Sequence, residues 1–381
     1  MICPICKVEN LVKMGFSSSG RQRYKCKTCG SIRTGLLQMA QDKKRIAVSD
    51  EREHTRIDNA LLEYNQAILK LLKDRHVTKF VTSHEKIAHP KMCPIIQISD
   101  AHFNELVKLD HNKYDFEIAS KRFQKFAHKC LKYLKPFDIS EVVVAMTGDL
   151  MNSDRRLDEL LAMATNRTNA TFLAVDILTG FLLDLNKHYN VSVCCISGNE
   201  SRIPELPGYI DLIATDNYDF TIFNILDRTL SGKKGITFLK GNPVEQVLNI
   251  AGQNVLVTHG SDYPANGIEN KIQSVKGKFV SQGIKVDYII FGHLHATGIG
   301  DSYARSASVV GANAYSDRKL NLAGRASQLL HFLFADGSRD CMKIDLQDTE
   351  NYAGYPLDAS VDCYNAKSEL LLKRKQTVID I

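Results

Sequence analysis

The chain has 381 residues, 44% hydrophobic and 24% charged, which suits one large soluble domain with a small appendage, or two domains. No run is long and apolar enough to suggest a bilayer span, and Met1-Ile2-Cys3-Pro4 does not read as the start of a secretion signal. The formal net charge of +6 is concentrated: up to Gly35, Lys7, Lys13, Arg21, Arg23, Lys25, Lys27 and Arg33 face only Glu9, so the rest of the chain carries no formal excess.

The first 35 residues open with Cys3-Pro-Ile-Cys6 and close with Cys26-Lys-Thr-Cys29-Gly30. Two C-x-x-C turns about 15–20 residues apart are a structural zinc pattern, because each turn presents two thiolates and the pair completes a tetrahedron. Four thiolates on one zinc would trim the local positive charge. So short a segment cannot build its own core, so the metal is expected to supply the folding energy. Between the turns, Arg21-Gln22-Arg23-Tyr24-Lys25 alternates cations with one aromatic. This segment resembles the zinc ribbons at the front of transposases and other DNA-acting proteins. The resemblance implies that Arg21, Arg23, Lys25 and Lys27 meet phosphates, while Tyr24 packs inward or stacks on a base. The other six cysteines are scattered without disulfide-like spacing, which fits a reducing compartment, so a cytoplasmic location is expected.

Residues 36–56 read as a charged linker, followed by a helix over Ile57 to Arg75. Ile57, Leu61, Tyr64, Ile68 and Leu71 form an apolar stripe, suited either to docking on the main domain or to pairing in a homodimer. Thr78 to Lys91 reads as connector. Helices are expected over Tyr114 to Leu134 and Leu157 to Lys187, and a short one over Ser368 to Lys375. Short apolar runs rich in β-branched residues predict buried strands at Cys93–Ser99, Val142–Asp149 (stopped by Gly148), Val191–Ser197, Asn254–Thr258 and Tyr288–Phe291. Further strands are expected at Ser306–Val310, Gln328–Phe334 and Cys341–Leu346, the last two joined at Asp336-Gly337.

Each of the five buried strands ends on metal-ligand residue types: Asp100-Ala-His102, Gly148-Asp149, Gly198-Asn199-Glu200, His259-Gly260 and Gly292-His293-Leu-His295. In open α/β sheets the chemistry sits at such strand ends. This set, in this order over roughly residues 93–346, resembles the calcineurin-like metallophosphoesterase superfamily. The resemblance implies a four-layer αββα sandwich, here with an N-terminal four-cysteine zinc ribbon and a helical linker. The expected divisions are ribbon 1–35, linker with helix 36–92, phosphoesterase domain 93–350 and tail 351–381.

The resemblance further implies two divalent ions. One takes Asp100, His102, Asp149 and His295; the other takes Asp149, Asn199, His259 and His293, with Asp149 bridging. Such a pair would hydrolyse a phosphodiester through a bridging hydroxide. Mixed His, Asp and Asn ligands suit Mn²⁺, Fe²⁺ or Zn²⁺ better than an all-oxygen Mg²⁺ site. Family members usually carry a histidine after Gly-Asn. Here Glu200 stands there, followed by Ser201 and Arg202, so Glu200 is a candidate acid and Arg202 a candidate phosphate contact. Asn152 or Ser153 is expected to cap the helix after Asp149, whose N-terminus suits a phosphate. Asn313 to Arg318 follows the histidine pair without an assigned role.

With a basic ribbon attached, the expected activity is that of a nuclease like the Mre11/SbcD-type enzymes and exonuclease-like phage proteins, acting on DNA in preference to RNA. Two alternatives stand beside it. One is a phosphatase or small phosphodiesterase whose ribbon docks protein; the other is an inactive DNA-binding or assembly protein.

Overall fold

The computed structural model describes residues 1–35, 38–74, 91–203, 214–314, 316 and 324–358. The expected helix at Ser368 to Lys375 lies outside these, as do most of the Thr78 to Lys91 connector and Tyr315 and Arg318. The chain divides into two compact units, Met1–Ile87 and Ala88–Ile381.

In the first unit, β1 (Leu11–Phe16), β2 (Gln22–Cys26) and β3 (Ile32–Thr34) form an antiparallel sheet in the order β1-β2-β3. Its buried apolar side chains are Cys3, Tyr24 and Cys26. Helix α1 (Gln38–Asp74) follows as one unbroken element of 37 residues. From Gln38 on, the charged linker expected before Ile57 is therefore helical. The physical reason is in the residues: from Gln38 to Asp74 there is no glycine or proline, and good helix formers such as Gln, Lys, Arg, Glu and Ala predominate. The stripe residues Ile57, Leu61, Tyr64 and Leu71 are exposed.

The second unit is a four-layer sandwich. Its elements begin with β4 (Met92–Ile98), the ribbon pair β5 (Val107–Lys108) and β6 (Lys113–Tyr114), α2 (Phe116–Leu134) and β7 (Glu141–Met146). They continue with α3 (Leu157–Leu161), α4 (Arg167–Asn186), β8 (Asn190–Cys195), α5 (Tyr218–Leu230), β9 (Ile236–Phe238), β10 (Glu245–Ile250) and β11 (Gln253–Thr258). They end with α6 (Ile268–Ser281), β12 (Tyr288–Phe291), β13 (Gly298–Gly300), β14 (Tyr303–Arg305), β15 (Ser327–Phe334) and β16 (Arg339–Asp345). One sheet runs β16-β15-β4-β7-β8-β9 and is parallel from β4 to β9; the other runs β10-β11-β12-β14-β13 and is parallel from β11 to β14.

Strand periodicity sorts the side chains into layers. Ile96, Val144 and Met146 turn toward α2, α4 and α5, meeting Phe123, Phe126, Leu178 and Phe181. Their neighbours Ile95, Val143 and Ala145 turn the other way, onto Val255, Val257 and Ile290 of the second sheet. Leu256, Ile289 and Phe291 face outward again, under Ile272 and Phe279 of α6. Strands covered on both faces need apolar residues at every position, which is why they read as continuous runs.

Three local expectations are corrected. The stretch from Leu157 to Lys187 is two helices, because Asn166 caps α4 through a bond from the Asn169 N–H to its side chain. Helix α4 is itself long and apolar enough to cross a membrane, contrary to the sequence reading, but most of its apolar residues, Phe172 excepted, are buried against the first sheet and its helices. Ser306 to Val310 is a loop. Its polar groups serve the Asp100 turn, with Ser308 Oγ and the Val309 N–H both donating to the Asp100 carbonyl.

Candidate metal centre

The sandwich delivers the five strand ends to one place. Parallel pairing sets β4, β7 and β8 side by side in one sheet and β11 and β12 side by side in the other, so their C-terminal ends share an edge. Asp100, His102 and His295 gather there, and beside them Asp149, His259 and His293; within each group the ligand atoms all lie within 4.8 Å of one another. Asn199 joins the second group, its Oδ1 2.9 Å from His259 Nε2.

The backbone is bent to achieve this. Asp100, His102, Asn104, Asp149, His293 and His295 all have positive φ, between 42° and 82°. Non-glycine residues adopt that region at a cost of order 1–3 kcal/mol each, and such strain collects at functional sites. Two glycines permit the crowding. A Cβ on Gly198 would collide with the Asp149 carboxylate, and one on Gly292 with Ser99 Oγ and Asp100.

The electrostatics are those of a ligand shell. Asp149 is 1% exposed, and its Oδ2 makes no hydrogen bond while lying 3.0 Å from His259 Nε2. His102 Nε2 and His295 Nε2 face each other at 3.0 Å, an approach that suits two imidazoles sharing a cation. Burial opposes ionisation of Asp149, yet the His259 ring beside it holds the carboxyl well below the usual range. Burial also opposes protonation of His259, but Asp149 outweighs it and lifts His259 to about 10. Burial and then the His259 charge push His293 down, toward the neutral form that binds metal. The Thr147 carbonyl 2.8 Å from His259 Nδ1 can only accept, so in the neutral ring Nδ1 carries the proton and Nε2 is left to face the site. Buried carboxylate and imidazole atoms that lack partners of their own fit divalent cations.

Several supporting residues were not legible as such. Asp219, fully buried at the start of α5, accepts from the N–H groups of Asp149 (2.9 Å), Leu150 (2.9 Å) and Gly198 (2.7 Å), tying the second and third ligand turns together. Asn217 donates from Nδ2 to the Gly198 carbonyl. Ser201 Oγ accepts from the Met151 N–H. The one sequence signal is Asn217-Tyr-Asp219, a cap-like start to α5.

Glu200 and Arg202 stand beside the second group. Glu200 Oε1 accepts from Asn199 Nδ2 at 2.6 Å and Oε2 from Arg155 at 3.0 Å. Arg202 donates to the Asn199 carbonyl at 2.6 Å, and its buried Nε makes no hydrogen bond. The helix expected to take a phosphate at Asn152 or Ser153 does not start there. Arg156 precedes α3, which has five residues, and Ser153 Oγ is turned onto Glu159. Asn313 donates to Glu105 Oε1 at 2.8 Å.

In the first unit, Cys3, Cys6, Cys26 and Cys29 cluster with their sulfurs within 4.8 Å of one another. The Ser31 hydroxyl draws Cys3 down to about 6. For Cys6 a backbone bond from Val8 pulls downward, but burial and the facing sulfurs push it up to about 12. Four thiols at this spacing resist shared ionisation without a cation between them. Arg21, Lys25 and Lys27 are exposed and Arg23 is half-buried. Tyr24 is 2% exposed, so of the two orientations expected it packs inward and offers no face for a base.

No protein-family model matches the sequence, and no curated protein matches it. Solved structures to which the chain is similar include Vacuolar Protein Sorting 29 from Cryptosporidium parvum, at 12% identity and TM-score 0.31, covering 68% of this chain and 99% of that one. The calcineurin-like phosphoesterase YfkN from Bacillus subtilis is similar at 10% identity and TM-score 0.31, over 72% of this chain and 95% of that one. A conserved protein from Streptococcus pneumoniae, described as a predicted phosphoesterase, is similar at 13% identity and TM-score 0.27, over 67% and 98%.

Proposed function

We propose that the chain is a divalent-metal-dependent phosphodiesterase acting on nucleic acid, with DNA preferred to RNA. One observation carries the reading: seven ligand side chains from five strand ends meet in two adjoining groups around Asp149, whose outer oxygen has no hydrogen-bond partner. Asp100, His102 and His295 would hold one ion and His259, His293 and Asn199 the other, with Asp149 between them. Bound there, Mn²⁺ or a similar ion would activate water and neutralise charge on a phosphate.

The protein's own part is to bind and orient. Arg202 adds a cation beside the second group, where its charge would favour a phosphate. In the first unit, Cys3, Cys6, Cys26 and Cys29 would hold a structural Zn²⁺ by four thiolates. The exposed Arg21, Lys25 and Lys27, with Arg23, would track a phosphate backbone. This basic surface is what favours a polymer over a small phosphoester.

The test compares the full chain with Asp149→Asn on labelled single- and double-stranded DNA and RNA and on p-nitrophenyl phosphates, with and without Mn²⁺. Mn²⁺-dependent cleavage of a polynucleotide, lost in the variant, is expected. Hydrolysis of phosphomonoesters alone would replace the nuclease reading with a phosphatase, and no hydrolysis of any substrate would overturn the enzyme.

A further inference from the structure

Glu200 stands where the resemblance led us to expect a histidine, and its surroundings suit a different task. Its two carboxylate oxygens are both engaged: Oε1 by Asn199 Nδ2 at 2.6 Å, Oε2 by Arg155 at 3.0 Å. Arg155 comes from the segment after β7, and its side chain is 10% exposed. Its guanidinium also donates to the carbonyls of Glu200 (2.9 Å), Arg202 (3.0 Å) and Asn199 (3.3 Å). One fork thus grips three carbonyls of the third ligand turn and one carboxylate, which a lysine could not reproduce.

The consequence falls on Asn199. An amide has one oxygen and one NH₂, and only the oxygen can bind a cation. With Nδ2 committed to Glu200, Oδ1 is turned toward His259 Nε2 at 2.9 Å, on the ligand side. The Glu200 N–H, for its part, donates to Asp149 Oδ1 at 2.7 Å, which leaves Oδ2 for the site. The Glu200 side chain therefore touches one ligand, Asn199 of the second group, while only its backbone touches Asp149, which lies between the groups.

We infer that Arg155 and Glu200 form a clamp that presents the Asn199 carbonyl oxygen to the second ion, so that Glu200 is a positioning residue and not a proton donor. This rests on the metal-site reading above. It assigns roles to two residues and predicts that the two ion positions respond unequally to them.

The experiment is Mn²⁺ binding to the full chain by isothermal titration calorimetry, with electron paramagnetic resonance of the bound ions, alongside kinetics at rising Mn²⁺. The variants are Glu200→Gln, Glu200→Ala and Arg155→Lys. Glu200→Ala and Arg155→Lys are expected to weaken one of two Mn²⁺ ions by about 10–100-fold, the usual cost of losing a group that orients a ligand, and to leave the other unchanged. Glu200→Gln, which keeps an acceptor for Asn199 but loses the charge facing Arg155, should fall between them and the parent. Excess Mn²⁺ should restore much of the rate in every variant.

A proton donor would behave otherwise. Glu200→Gln would then bind both ions normally, lose its rate at saturating Mn²⁺ and lose the alkaline limb of its pH profile; that result overturns the clamp. Unchanged affinities in Arg155→Lys, with the parent binding two ions, would overturn it too and leave the metal site standing. A parent chain that binds no Mn²⁺ at this site would instead sink the metal reading itself. Arg155→Lys keeps the charge and most of the bulk and lies in no apolar cluster, so it provides a second variant should Glu200→Ala prove unstable.

Discussion

The cysteine cluster of the first unit and the Asp/His cluster of the second gather metal-ligand residues by opposite routes. Cys3 and Cys29, the outermost of the four sulfurs, are 26 residues apart and close on local turns. His102 and His295 are separated by 193 residues and meet only because two sheets bring their strand ends together. Among the described residues around the cysteines the buried apolar side chains amount to little more than Tyr24, whereas the Asp/His groups sit on three apolar clusters. A cation should therefore be part of the folding of the first unit but only a ligand of the second.

The sharpest way to break this contrast is at Asp149. Asp149→Asn removes the charge expected to sit between two ions, and metal-assisted chemistry is worth several kcal/mol. The rate of Mn²⁺-dependent hydrolysis is expected to fall by about 10³-fold or more. Thermal unfolding of the second unit should nonetheless shift far less than the rate, because Asp149 belongs to none of its three apolar clusters. A collapse of the unit in this variant would show that its metal is structural after all.

The complementary test is chelation, or Cys26→Ser, followed by hydrogen exchange. Amide protection in β1 to β3 should be lost outright, while β4, β7 and β11 keep theirs. Equal loss in both units, or none in either, would erase the distinction.

A smaller effect is expected at Asp219, the buried carboxylate that ties Asp149, Leu150 and Gly198. Burial first, and then repulsion from Asp149, raise it to about 6, so the fold tolerates a costly acid here for the sake of three backbone donors. Asp219→Asn keeps one acceptor oxygen and turns an NH₂ toward the remaining N–H. Stability is expected to fall by about 1–3 kcal/mol in denaturant unfolding. No change would mean that the ligand turns hold themselves.

The same contrast explains what could be read from the residues alone. Runs such as Val142 to Met146 announce strands covered on both faces, and the Asp and His residues at their ends are those that the fold gathers, so the sandwich and the Asp/His groups were legible. Asp219 was not, since it is one polar residue seventy positions from Asp149 and its role exists only once two turns lie beside it. Arg155 follows the Asp149 strand end closely in the sequence, but nothing in Asn-Ser-Asp-Arg-Arg says that it reaches across to the third ligand turn. Ser306 to Val310 alternates like a strand, yet Ser308 Oγ and the Val309 N–H bond the Asp100 carbonyl in place of a regular strand pairing. The extent of α1 was missed because a charged, exposed helix lacks the apolar periodicity that marks a docked one.

The smallest expected effect separates the core of the second unit from its metals. His331 on β15 is fully buried, placed between Gln97 Oε1 at 3.0 Å and the Tyr288 hydroxyl at 3.1 Å. Burial pushes it down to about 3, from an ordinary value near 6.5. Its folded form thus binds a proton less readily than the unfolded chain does. Stability from this residue is complete above about pH 6.5 and is lost as pH falls from there toward 3. Between pH 6.5 and 5.5 the loss should be about 1 kcal/mol, set by the limiting slope of about 1.4 kcal/mol per pH unit for one proton. His331→Gln should remove that increment from the pH dependence, whatever it does to stability at neutral pH. The measurement is denaturant unfolding in chelator, so that protonation of the ligand histidines cannot act by releasing metal. If the parent and variant slopes coincide over this interval, acid sensitivity belongs to the strand-end cluster, and the independence of core from metals fails.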